Sequence, residues 1–398
     1  MTEELLGSLR ASAAAIEGEL VALRRKLHAY PELSFEEERT SAAVAEWLDG
    51  LGLDVVRRGV GGHGIVAELA GTRPGPRIAL RADMDALPIQ EESSLPYASQ
   101  VPGVMHACGH DAHTAMLCGA VRLLANRRDR LAGSVRFLFQ SAEEINAGAK
   151  AMIEQGALDG VDEIYGLHNL PTLPASQTGT RFGALMGSVD QFELTVTGRG
   201  GHGALPEQCV DPVVAASAIV MALQTAVSRE LSPFSPAVVT VGSVHGGASY
   251  NVIPERVELA GTVRTFSADI QEQMPERLRR LIERTAQAYR CEAELRYIRH
   301  VPVLVNDDAC VRHAEAAIDA VLGRANRIEA PPVLAGEDFS VYLQRVPGCF
   351  FWLGSGPKTG AERAYGLHHP RYTLNEDCLP DGAAVLAAIA LGRLGVSS

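Results

Sequence analysis

Phe137-Leu-Phe-Gln-Ser-Ala-Glu-Glu144 is the stretch that decides the fold: an apolar strand that runs into two adjacent carboxylates. In an open α/β sheet, ligands bind beyond the carboxyl ends of the strands. An acid pair at that address can serve a site. Consecutive acids point in different directions, so one can hold a cation while its neighbour faces a substrate as a base. Taken alone, the pair fits the first turn of an exposed helix better, so the flanking segments have to settle it. Upstream, Asp54–Arg57, Ile65–Leu69 and Ile78–Arg81 are short β-like runs, and Thr114–Ala125 follows a helical pattern. Downstream, Ala149–Gln155 is helical and Glu163–Leu167 is another strand. Strands and helices that alternate with short links predict an α/β domain around a mixed, mostly parallel sheet. Two amphipathic helices precede it: a stripe of Ile16, Leu20, Leu23 and Leu27 stopped by Pro31, and Thr40–Leu51.

Near residue 182 the pattern changes. Gln191–Thr197 alternates as a half-exposed strand, Pro212–Arg229 is a long helix, and Ala237–Val244 and Arg256–Phe266 are strands joined through Gly246-Gly247. Gln271–Tyr289 is a helix and Glu292–Ile298 a strand. The order β-α-β-β-α-β is a known supersecondary unit, ferredoxin-like in kind. Apolar strands such as Cys349–Leu353 then resume. The prediction is an α+β domain over residues 183–294 inserted into a domain made of 1–182 and 295–398.

The bulk properties exclude several function classes. A chain of 398 residues is too long for one comfortable core. Its net charge of −12 argues against nucleic acid and anionic membrane partners. The start Met-Thr-Glu-Glu lacks the basic and apolar segments of a secretory signal. The longest mostly apolar run, Val213 to Val227, is too short to span a bilayer and carries Ser217, Gln224 and Thr225. Seven cysteines without a Cys-x-x-Cys make a disulfide framework improbable, so a cytoplasmic location is expected.

Two glycine patterns invite a nucleotide reading. Gly59-Val-Gly-Gly-His-Gly64 is followed by a strand and Gly198-Arg-Gly-Gly-His-Gly203 by Ala-Leu-Pro, so neither opens the helix that a dinucleotide site requires. No Walker A and no G-x-S-x-G sequence occurs.

Met105-His-Ala-Cys-Gly-His-Asp-Ala-His113 is the densest polar cluster. Thiolate, imidazole and carboxylate are the ligands of first-row metals. Gly109 lets Cys108 and His110 converge. The helix that follows is expected to favour a thiolate and to depress the Cys108 pKa. His106 and His113 are expected to support rather than ligate. Ile164-Tyr-Gly-Leu-His-Asn-Leu-Pro171 ends a strand in His168, and Tyr365-Gly-Leu-His-His-Pro370 places a His pair at an apolar-to-loop junction. In Arg81-Ala-Asp-Met-Asp-Ala-Leu-Pro88, Asp83 and Asp85 fall on one side of an extended segment. Each alone is a weak signal; five such junctions in one α/β domain form a coherent dinuclear site.

Together with Arg24–Glu32, Gly200–Gly203, Asn251-Val-Ile-Pro254 and Gly336-Glu-Asp-Phe339, these segments resemble, nearly end to end, the M20 metallopeptidase family. The likeness is to its N-acyl amino acid amidohydrolases, which include hippurate hydrolases and plant auxin-conjugate hydrolases. The broader family opens its metal site with His-x-Asp. Here Asp83-Met-Asp85 stands in that place, as in the amidohydrolases, and ligand duty moves to Cys108 and His110. The resemblance implies a zinc-peptidase-like catalytic domain with an inserted lid and dimerisation domain. It implies two divalent ions (Zn, Mn, Co or Ni), with Cys108 bridging, His110 and His168 on one ion, and Glu144 and His368 on the other. Glu143 would be the general base, and Asp85 would orient the site. His202 from a partner subunit would stabilise the oxyanion, Asn251 and Arg264 would grip the substrate carboxylate, and Gly336 would border the substrate. The implied substrate is a small N-acyl amino acid and the implied assembly a homodimer or homotetramer. A carboxypeptidase or dipeptidase on the same site is the enzymatic alternative, and a non-catalytic binding protein the other. His28 and Glu32 lie in a family segment with no assigned role and are expected to be structural.

Overall fold

The computed structural model describes residues 3–358 and 364–395. The chain divides into two compact units. The first comprises Met1–Leu185, Val305–Pro331 and Val341–Ser398; the second comprises Met186–Leu304 and Pro332–Ser340. The insertion therefore ends at Leu304, not at 294, because the strand Glu292–Val301 runs past that boundary. The second unit also takes a later excursion, 332–340, which carries Gly336.

The first unit is built on an eight-stranded sheet. Its order is Val55–Arg58, Ile65–Ala70, Ala132–Gln140, Arg73–Asp83, Glu163–Pro174, Gly348–Gly356, Thr178–Thr180, Arg327–Glu329. The central pairings, Ala132–Gln140 with Arg73–Asp83, Arg73–Asp83 with Glu163–Pro174, and Glu163–Pro174 with Gly348–Gly356, are parallel. Antiparallel pairings occur at Val55–Arg58 with Ile65–Ala70, Ile65–Ala70 with Ala132–Gln140, and Gly348–Gly356 with Thr178–Thr180. Phe137, Phe139, Phe350 and Phe351 are fully buried. Each contributes on the order of 2–3 kcal/mol by leaving water. Gly59–Gly64 is the turn of the hairpin between Val55–Arg58 and Ile65–Ala70.

Helix His110–Ala125 packs on Cys378–Leu394 at very close range. A Cβ on Gly119 would lie 2.8 Å from Ala383 Cβ, and one on Gly382 would lie 2.3 Å from Met116 Sδ. Small residues at the crossing let the two backbones approach. Cys378–Leu394 is apolar on every side and buried almost throughout, so it shows no amphipathic period, and it is absent from the sequence-derived elements. Helix Asp308–Leu322, capped by the Asp307 carboxylate, was likewise not anticipated.

The second unit has an antiparallel four-stranded sheet in the order Ala237–Gly246, Arg256–Thr265, Val189–Thr197, Glu292–Val301. Helices Pro212–Leu223 and Ala268–Ala288 complete the ferredoxin-like β-α-β-β-α-β arrangement. The expected single helix Pro212–Arg229 is broken into Pro212–Leu223 and Thr225–Ser228. Between Ala237–Gly246 and Arg256–Thr265 the chain makes a short strand, Val252–Ile253, paired with Gly201–His202. Among the described residues, no helix is long and apolar enough to cross a membrane.

Candidate metal centre

The carboxyl ends of the central strands deliver the side chains. Asp83, the last residue of its strand, pairs with Gln140, the last of the neighbouring strand. Beyond Gln140 the chain turns through Ala142, whose φ of 56° is unusual for a residue with a side chain. That turn presents Glu143 and Glu144. His168 lies two residues beyond Gly166, the last residue paired with Arg73–Asp83. Its strand does not stop there as expected but continues to Pro174, held by Gly348–Gly356. The helix that should start near Thr114 starts at His110, because Gly109, with φ of 91°, turns the chain directly into it.

Cys108 Sγ lies 3.3 Å from His168 Nε2. His110 Nε2 is 3.7 Å from Glu144 Oε1, which is 3.5 Å from His368 Nε2. The donor atoms of Cys108, His110 and His168 lie within 4.8 Å of one another, as do those of Cys108, Glu144 and His368, and those of His110, Glu143 and Glu144. His110 Nε2 and Glu144 Oε1 are buried and have no hydrogen-bond partner. Buried polar atoms are almost always satisfied. A soft thiolate, imidazoles and a carboxylate around two orphaned donors fit a divalent cation pair.

Asp85 ties the cluster together. Its Oδ1 is 3.2 Å from His110 Nδ1, and its Oδ2 accepts the Glu144 N–H at 3.0 Å and the Ser34 hydroxyl at 2.7 Å. His368, at φ of 64°, donates its N–H to Ala107 O at 2.8 Å, which ties its segment to the one that carries Cys108. Ser34 and the Ala107 carbonyl were not anticipated, since nothing in their residue types marks them.

Electrostatics follow from burial and crowding. Burial opposes a charge on His110, but Asp83, Asp85 and Glu144 outweigh it and lift the imidazole to about 10. Burial lifts Glu144 to about 7, with His110 opposing and Asp85 reinforcing. Burial pulls Asp85 up, yet the bonds from His110, Ser34 and the Glu144 N–H bring its carboxyl below the usual range. Burial and His113 hold His168 far below the ordinary imidazole value, and burial and His110 lower His368. Neutral imidazoles keep the lone pair that a metal needs. The Cys108 expectation is overturned: burial first, then Glu144, Glu143 and Asp83, hold its thiol well above the usual value. Burial together with three carboxylates outweighs a helix terminus, and a bound cation would offset both.

Asp83 and His113 serve each other. Asp83 Oδ1 meets His113 Nδ1 at 2.6 Å, and its Oδ2 accepts from Arg81 at 2.7 Å. His106 is buried, neutral and pushed down to about 4 by burial. His28 lies between Asp111 (2.8 Å) and Glu91 (3.4 Å), beside the buried Arg24–Asp111 pair. Glu32 accepts the N–H groups of Arg39 and Thr40 at the start of helix Glu38–Leu48. Both are structural.

In the second unit, His202 and Asn251 are neighbours and exposed: His202 pairs with Val252, and Gly203 N donates to Asn251 O at 2.8 Å. His202 Nδ1 accepts the Ala204 N–H at 3.1 Å, so its proton sits on Nε2, the outward donor. Arg264 is half-buried, its Nε donating to Thr262 Oγ1 at 3.0 Å. At Gly336 a Cβ would lie 2.0 Å from Val189 Cγ2, so no side chain fits.

Residues 79–392 match the profile of peptidase family M20/M25/M40. The chain belongs to this family. It is 42% identical over 377 residues to an N-acetylcysteine deacetylase of Bacillus subtilis, covering 95% of this chain and 97% of that protein. An IAA-amino acid hydrolase ILR1-like 2 of Arabidopsis thaliana is 40% identical over 379 residues, 94% of this chain and 85% of the relative. The solved structure of the Bacillus subtilis YXEP protein, a dinuclear metal binding peptidase of the M20 family, is 40% identical, with a TM-score of 0.84 over 95% of this chain and 98% of that one.

Proposed function

We propose that this chain is a metal-dependent amidohydrolase that cleaves the amide bond of N-acyl amino acids, releasing a carboxylic acid and a free amino acid. The observation that carries this is the convergence of Cys108, His110, Glu144, His168 and His368 on two groups of donor atoms, with Glu143 at their edge. Relatives named for N-acetylcysteine deacetylation and for hydrolysis of amino acid conjugates support it.

In this reading Cys108, His110, Glu144, His168 and His368 would hold two divalent ions. The ions would supply Lewis acidity to the amide carbonyl and acidity to water. Glu143 takes the proton of the attacking water and passes it to the leaving nitrogen, so that water and amide become acid and amine. Asp85 keeps His110 and Glu144 in place. His202 donates Nε2–H to the tetrahedral oxygen. Arg264 and Asn251 hold the free carboxylate, and charge-assisted bonds from the guanidinium make that group a requirement. Gly336 borders the substrate.

Two further points belong to the same reading. The edge strand Ala237–Gly246 exposes Val244, and helix Pro212–Leu223 exposes Val213, Val214 and Met221. An unpaired edge beside an apolar helix face suits a second copy of the chain, giving a homodimer in which His202 serves the partner's site. All seven cysteines are free thiols, which suits the reducing cytoplasm.

The test is a panel of N-acetyl and N-benzoyl amino acids and unblocked dipeptides, each assayed with Mn, Zn, Co and Ni. Turnover of the N-acyl compounds is expected; preference for dipeptides assigns the chain to peptide cleavage instead.

A further inference from the structure

We propose that Asn169 is the positioning residue that sets the geometry of the Cys108–His168 ligand pair. The inference rests on Cys108 and His168 being metal ligands. Asn169 is fully buried, and every polar group of its side chain is engaged. Its Nδ2 donates to Cys108 O at 2.5 Å and lies 3.1 Å from His113 Nε2. Its Oδ1 accepts from Tyr372 OH at 2.6 Å and from Ser355 Oγ at 2.9 Å. Four chain segments meet on one amide.

The orientation of that amide is dictated by chemistry. The Cys108 carbonyl can only accept, so the NH2 must face it, and the two hydroxyls then donate to the opposite oxygen. The main chain of Asn169 fixes two rings. Its N–H donates to His113 Nε2 at 2.9 Å, which places the His113 proton on Nδ1, toward Asp83. Its carbonyl accepts from His168 Nδ1 at 2.8 Å, which leaves the His168 Nε2 lone pair facing Cys108 Sγ. The Cys108-Gly109 turn is closed over the same side chain: a Cβ on Gly109 would lie 2.1 Å from Asn169 Nδ2 and 2.6 Å from Tyr372 OH. Asparagine is thus required by its two-sidedness. Aspartate in its place would still accept from Tyr372 and Ser355, but it would set an acceptor against Cys108 O.

The test uses the full-length protein, stripped by chelation and titrated with Co(II). Affinity, the thiolate-to-cobalt absorption and the melting temperature of the metal-free form are read. The parent is expected to show a thiolate band that Cys108→Ser removes. Absence of the band, or its persistence in that variant, overturns the ligand assignment and this inference with it. Given the band, Asn169→Asp is expected to bind Co(II) about 10–100-fold more weakly, with a weakened or shifted band. Parental affinity and spectrum with only a lowered metal-free melting temperature would mean that Asn169 is merely structural, and would overturn the inference alone. Should Asn169→Asp fail to fold, Ser355→Ala removes one donor to Oδ1 and is expected to weaken Co(II) binding severalfold. Parental binding in that variant overturns the proposal.

Discussion

Asp85 Oδ2 accepts the main-chain N–H of Glu144 at 3.0 Å while its other oxygen faces His110 Nδ1 at 3.2 Å. One carboxylate therefore sets the direction of two candidate metal ligands that come from different strand ends. Asn in place of Asp85 can accept with only one of its two atoms. Asp85→Asn is expected to weaken metal binding by about 10–100-fold, as loss of a partner behind a ligand does. Calorimetric titration of the stripped protein with Mn(II) or Zn(II) checks this. Parental affinity would show that the ligands hold themselves.

Glu143 and Glu144 are consecutive, yet they are assigned different work. Glu143→Gln is expected to lower kcat by about 10²–10⁴-fold while the metal content per chain stays at the parental value. Elemental analysis beside a steady-state assay decides it. If metal is lost together with turnover, the roles of base and ligand are exchanged.

The exposed pair His202 and Asn251 supplies a complementation test. His202→Ala is expected to lower kcat by about 10²–10³-fold. If His202 serves the partner's site, co-refolding equal amounts of Glu143→Gln and His202→Ala chains restores activity. Half of the dimers are then mixed, and each holds one intact site, so about a quarter of parental activity returns. No recovery would place His202 in its own chain's site or outside catalysis. Met221→Asp and Val244→Lys, on the apolar face of the inserted unit, are expected to shift the chain toward monomer in sedimentation velocity.

Arg24 and Asp111 are both fully buried, 2.8 Å apart, with His28 on the same carboxylate oxygen. Removing Asp111 leaves the buried Arg24 with only the Glu376 carboxylate, at 3.3 Å, and His28 without its nearer acid. Asp111→Ala is expected to cost about 3–5 kcal/mol of stability, seen as a fall in the melting temperature of metal-free protein. A change below about 1 kcal/mol would mean that water reaches Arg24.

The alternation of strands and helices, the β-α-β-β-α-β insertion and the five donor residues were legible in the sequence, because each depends on local pattern or on residue type at a strand-to-loop junction. A strand end is a local event, and cysteine, histidine and glutamate announce their chemistry wherever they stand. Helix Cys378–Leu394 was not legible, since a helix buried on all sides has no period to reveal it. The far end of the insertion was missed because the strand Glu292–Val301 runs past 294, and the excursion 332–340 because it joins the second unit by folding, not by neighbouring in sequence. Only tertiary structure decided the electrostatics. A helix terminus beside Cys108 suggested a stabilised thiolate, but burial first, and then the carboxylates of Glu144, Glu143 and Asp83 brought in from other strand ends, reverse the sign. Asn169 was invisible for the same reason. An asparagine beside a histidine carries no message until folding brings Cys108, His113, Ser355 and Tyr372 around it. Hydrogen bonds and Coulomb interactions act over a few ångströms of space, whatever the separation along the chain.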